Sequence, residues 1–128
     1  MTATNKKSAL GAPSTQMYTD EAKLLKDVIE WLEPQRRDGI KVIRICDRYN
    51  KGYSDLFINV RGQFVIAELK DDEGTASPHQ EQFIEDMVEC GAIGGVCRTV
   101  KEVADLVDEA KRRTPDWTST IGSRQTKV

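Results

Sequence analysis

The chain predicts a single α/β domain, and three observations carry that prediction. Apolar residues recur at helical spacing in three stretches. Three β-branched or aromatic runs follow one another between the first and second of these, and one short run separates the second from the third, giving the order αβββαβα. At 128 residues, with 38% hydrophobic and 31% charged side chains, the chain suits one domain with one core. Residues 1–17 and 114–128, rich in small and polar residues and without periodicity, are expected to be flexible tails, which leaves 18–113 as the folded unit.

The first helix is predicted from about Asp20 to Glu33, with Thr19 or Asp20 as N-cap and Pro34 just past its end. Leu25, Val28 and Leu32 share one side of it with Glu21 in the middle of their stripe, while Lys23, Lys26 and Glu30 fall on the far side. Ile40 to Cys46 is a β-branched run with partial alternation. The loop Asp47 to Tyr53 carries Arg48, Lys51 and Gly52, and Asp55–Val60 with Phe64–Lys70 then form a hairpin across Arg61-Gly62-Gln63. After an acidic loop, Asp71 to Ala76, a second helix opens with Ser77 as N-cap, Pro78 at its first position and Gln80 at its third, a capping box, and stops at Gly91. A short strand, Gly95 to Arg98, precedes a third helix capped by Thr99, with Glu102 three residues on and Val100, Val103, Leu106, Val107 and Ala110 as its apolar face.

Composition narrows the function classes. The net charge of −2 means that any nucleic-acid-binding face must be a local patch. Cys46, Cys90 and Cys97 are odd in number and lack a C-x-x-C pair, so they are expected to be buried thiols of a reducing compartment, without structural zinc. No stretch approaches the ~18 apolar residues of a membrane span, and residues 1–16 lack the apolar segment of a secretion signal, so a cytoplasmic protein is expected. His79 is the only histidine, which excludes nucleases built on several histidines; at the second helical position it suits a surface residue or a phosphate contact.

The chemistry gathers at the hairpin. Asp55 starts one apolar run and Glu68-Leu69-Lys70 ends the next, so the turn between them brings two acids and a lysine together. Carboxylates can hold Mg²⁺, and a metal there polarises a phosphate while the ammonium steadies an attacking hydroxide. Glu68 and Lys70, two apart on a strand, share a face, with Leu69 directed into the other layer. Gln80 lies on the inward side of its helix with Phe83, Ile84 and Met87, within possible reach of Lys70. Each residue also has an ordinary explanation. Asp55 can serve an Asx turn, Glu68 and Lys70 a solvated strand face, Glu21 the helix dipole, and Gln80 only the cap. The combination carries more weight, because acids at the ends of central apolar strands are costly unless paired or metal-bound. Arg44, Arg48 and Lys51, around the loop before Asp55, supply the local basic patch for a DNA backbone.

Gly52-x-x-Asp55, Glu68-Leu69-Lys70, Ser77-x-x-Gln80 and Gly91 together resemble the VRR-NUC domain of the PD-(D/E)xK nuclease superfamily, over about Glu21 to Val103. The resemblance implies a restriction-endonuclease-like αβββαβ core with a mixed central sheet flanked by helices. It implies a Mg²⁺- or Mn²⁺-dependent endonuclease with no organic cofactor, in which Glu21, Asp55, Glu68 and Leu69 form the metal set, Lys70 assists the water, and Gln80 lines the site with Asp55, Glu68 and Lys70. Ser54 stands where a proline often precedes the aspartate. Stand-alone domains of this kind, often phage-encoded, are similar to junction resolvases, so branched, junction or flap DNA and a homodimer are expected. The alternative is a non-catalytic nucleic-acid-binding module that retains the fold.

Overall fold

The structure, a computed structural model, describes residues 11–45 and 56–121; the predicted site residue Asp55, the predicted DNA contacts Arg48 and Lys51, and Cys46 lie outside the described residues. Helix α1 (Glu21–Leu32) starts at Asp20, whose carboxylate accepts a hydrogen bond from the Ala22 N–H at 2.9 Å. Leu24, Val28 and Leu32 are buried, and Glu21 is half-buried in the first turn. Pro34 does not end the helical course. A 3₁₀ segment, Glu33–Asp38, continues it with the proline near its start, where the missing N–H costs nothing.

Four strands follow in the order β1 (Ile40–Arg44), β2 (Leu56–Val60), β3 (Gln63–Leu69) and β4 (Ile93–Cys97), which is also their order across the sheet. β1–β2 and β2–β3 are antiparallel, with Ile40 opposite Val60 and Leu56 opposite Ala67, while β3–β4 is parallel, with Leu69 opposite Cys97. The sheet is therefore mixed. Arg61 (φ 56°) and Gly62 (φ 90°) make the two-residue β2–β3 turn, whose positive φ values match the strand twist. Helix α2 (Pro78–Glu89) lies between β3 and β4 in sequence, as a parallel crossover requires, and α3 (Val100–Arg112) follows β4.

Strand alternation divides the interior into two layers. Leu56, Ile58, Val60, Val65, Ala67 and Leu69 face α1 and α3, packing on Leu24, Val28, Leu32, Val103, Val107 and Ala110. The opposite face packs Ile66 on Ile84 of α2, with Phe57, Phe64, Phe83 and Met87 around them. Phe57 contacts Phe64 edge-on at 5.1 Å and stacks with Phe83 at 6.1 Å. The result is a three-layer α/β fold of restriction-endonuclease-like type. The chain before α1 and after α3 also makes specific contacts: the Ser14 carbonyl accepts from the Lys101 N–H at 2.9 Å, and the Arg61 guanidinium lies 4.8 Å over the Trp117 ring. Among the described residues no helix is long and apolar enough to cross a membrane.

Candidate active site

The carboxyl end of β3 follows directly from its alternation. Leu69 is fully buried in the α1/α3 layer, which leaves Glu68 and Lys70 on the α2 side of the sheet. Glu68 is only 1% exposed and Lys70 17%, and the Lys70 Nζ lies 3.3 Å from the Glu68 Oε2. A carboxylate so far from water is costly by itself, and the adjacent ammonium offsets part of that cost. The Lys70 N–H donates to the Cys97 carbonyl at 3.1 Å, carrying the parallel ladder one residue past β3. The pair thus sits at the carboxyl ends of two parallel strands, where open α/β sheets place their ligands.

Beyond Lys70 the chain turns sharply and is tied down on three sides. The Asp71 Oδ1 accepts from the N–H groups of Glu73 at 3.0 Å and Gly74 at 2.7 Å, while its carbonyl accepts from the Arg98 Nη1 at 2.5 Å. The Asp72 N–H donates to the Tyr18 carbonyl at 2.8 Å, and the Tyr18 hydroxyl donates to the Asp27 Oδ2 at 2.7 Å. Burial, then the Asp27 carboxylate, push the Tyr18 phenol up to about 12, so it remains a donor. Through Tyr18 the start of α1 is anchored to the end of β3, and Glu21 follows three residues later. Asp71, Arg98 and Tyr18 were not singled out from sequence; the available signal was Asp71-x-x-Gly74, the pattern of an Asx turn.

The remaining predicted residues fall as follows. Gln80 is in the capping box: its Oε1 accepts from the Ser77 N–H at 2.9 Å, and the Ser77 Oγ accepts from the Gln80 N–H at 3.2 Å. Leu69 has an apolar buried side chain, so only its carbonyl has the chemistry of a metal donor. Arg44 is exposed at the end of β1. Asp55 precedes Leu56, whose partner Ala67 adjoins Glu68. Among the described residues no three Asp, Glu, His or Cys side chains group as a cation site. The donor types nonetheless suit a hard divalent cation, because a buried carboxylate and a backbone carbonyl present oxygen ligands and no sulfur or imidazole. His79 is exposed. The burial expected of the cysteines is found at Cys97, whose thiol burial, with Glu102 and Asp105 nearby, pushes up to about 12. It is not found at Cys90, the C-cap of α2, which is exposed.

No protein-family profile matches the chain, and none of the curated proteins matches it by sequence. A solved structure described as a VRR_NUC domain superposes on it with a TM-score of 0.56 and 27% identity, over 69% of this chain and 94% of that one. The strand order, the Glu68–Lys70 pair at the end of β3 and this likeness agree with one another. In fold and in sequence the chain is thus similar to a VRR-NUC domain.

Proposed function

We propose that the protein hydrolyses DNA phosphodiester bonds as a Mg²⁺- or Mn²⁺-dependent endonuclease acting on branched, junction or flap DNA. Kinship with the VRR-NUC domain supports a nuclease of the PD-(D/E)xK type in general. The observation that carries the site assignment is the buried Glu68 carboxylate beside the Lys70 ammonium at the strand end. A pair of this kind is a weak device for stability, since well-packed apolar residues serve a core at least as well.

In this reading Glu68, Asp55, Glu21 and the Leu69 carbonyl hold the cation. When bound, the cation supplies charge neutralisation to the scissile phosphate and lowers the pKa of a water. Lys70 donates a hydrogen bond to the attacking oxygen and stabilises the negative charge that develops on the phosphate. The Lys70 stem is largely covered, so the ammonium reaches the site with little rotamer freedom to lose. Gln80 has a role here only if its carboxamide leaves the Ser77 N–H. Arg44, Arg48 and Lys51 bind the DNA backbone without reading sequence. A second copy of the chain gives the paired sites that junction cutting needs.

The test is a gel assay of linear, flap and four-way-junction DNA with Mg²⁺, Mn²⁺ or EDTA, run on wild-type, Glu68→Gln and Lys70→Ala proteins. Metal-dependent cutting by the wild type, lost in both variants, supports the proposal. Metal-independent binding without cutting favours a binding module, and cutting by both folded variants removes the site assignment.

A further inference from the structure

We infer that Asp71 is a positioning residue for Lys70, acting through the geometry of its turn and not through its charge. The inference rests on the reading of Lys70 as the residue that assists the attacking water. An acid one residue past the Glu68-Leu69-Lys70 segment invites assignment as a further cation ligand. Its contacts point elsewhere. The Asp71 Oδ1 is already the acceptor for two backbone donors, Glu73 N–H at 3.0 Å and Gly74 N–H at 2.7 Å, which makes it the organising atom of an Asx turn.

That turn folds the chain back over the lysine. A Cβ built on Gly74 would stand 3.1 Å from the Asp71 Oδ1, 3.4 Å from the Lys70 Cδ and 3.6 Å from the Lys70 Cβ. The glycine backbone therefore lies against the methylene stem of Lys70, leaving its side chain 17% exposed with the ammonium 3.3 Å from Glu68. Arg98 fixes the same turn from the end of β4 by donating to the Asp71 carbonyl at 2.5 Å, and Tyr18 fixes it from the start of α1 through the Asp72 N–H. A lysine at a strand end otherwise samples many rotamers. Here the turn closes off those that lead away from Glu68.

A purely positional role has a distinctive signature. Asp71→Asn keeps an Oδ1 acceptor and can rebuild the turn, whereas Asp71→Ala cannot. Single-turnover cleavage with Mg²⁺ is expected to fall at least tenfold in kcat for Asp71→Ala with KM unchanged, while Asp71→Asn keeps most of the wild-type rate. Gly74→Ala, whose Cβ would only touch the Lys70 stem but would press on the Asp71 Oδ1 at 3.1 Å, strains the turn without removing its acceptor and is expected to lose kcat to a lesser degree. A parallel readout needs no activity: the rate at which Lys70 is acylated by a water-soluble ester, measured by mass spectrometry on folded protein, should rise severalfold in Asp71→Ala and stay at the wild-type value in Asp71→Asn. Equal losses in the Asn and Ala variants would overturn the inference in favour of a charge role, and an unchanged acylation rate in Asp71→Ala would overturn it outright. If the wild type fails to cut DNA while the acylation pattern appears as expected, the nuclease reading falls and the positioning of Lys70 stands.

Discussion

Replacing Lys70 alone should destabilise the fold far more than replacing it together with Glu68. In the folded protein the two charges sit 3.3 Å apart, with Glu68 1% and Lys70 17% exposed. At an effective dielectric constant of about 20 their attraction is roughly 5 kcal/mol, most of it set against the desolvation of the carboxylate. Lys70→Ala removes the attraction and leaves the desolvation, so it should cost about 3 kcal/mol. With an m-value of about 2 kcal/mol/M, that is a drop of about 1.5 M in the urea midpoint. Glu68→Met with Lys70→Met removes both charges and keeps the volume, so its stability should fall within about 1 kcal/mol of wild type or exceed it. Cleavage should vanish in both. Urea unfolding followed by circular dichroism, with the gel assay alongside, reads both quantities. A double variant as unstable as Lys70→Ala, or one that still cuts DNA, would refute the view that this pair is kept for chemistry at the expense of packing.

Three further outcomes are expected. Asp38 accepts from Arg61 at 2.6 Å and Lys111 at 2.7 Å; burial alone would raise its pKa, but these hydrogen bonds and charges outweigh it and hold the carboxyl below its usual range. Its contribution, at most about 1 kcal/mol at this exposure, is therefore present above the unfolded-state pKa and lost as pH falls through the lower folded value; acid-unfolding curves of Asp38→Asn should lack this component, and an unchanged acid limb would count against it. Trp117→Ala should lower stability by about 1–2 kcal/mol through loss of the Arg61 contact and of ring burial, read as a thermal shift, whereas a tail residue would show none. Ser77→Ala should cost about 1 kcal/mol as a lost cap and leave cleavage within twofold, so a larger loss of rate in Gln80→Ala than in Ser77→Ala would separate a catalytic Gln80 from a capping one.

Local pattern revealed most of the elements and the central pair. Ser77 and Thr99 marked the starts of α2 and α3 because side-chain caps are encoded within four residues, and both bonds are present. Glu68 and Lys70 were placed on one face by the two-residue period of a strand, a constraint that needs no tertiary information. β4 starts at Ile93, two residues before the predicted Gly95, and this start is hidden from local pattern because Gly94 is a poor strand former. Gly94 is set by close packing instead, since a Cβ there would stand 3.3 Å from the Ile84 side chain. The 3₁₀ segment after α1 was missed because proline signals a stop more often than a first turn. What joins the site to the rest of the molecule was illegible. The Arg98–Asp71 and Lys111–Asp38 bonds span 27 and 73 residues, and the Tyr18 carbonyl meets Asp72 across the fold, distances over which periodicity carries no information.

The central claim, that the end of β3 is a cation-dependent site built on Glu68, is tested most directly by titrating Mn²⁺ into wild-type and Glu68→Gln protein in a calorimeter, without nucleic acid. Saturable binding by the wild type, weakened at least tenfold in the variant while its circular dichroism is unchanged, is the expected result. Equal affinity in the two proteins, or no binding to the wild type at millimolar Mn²⁺, would contradict it.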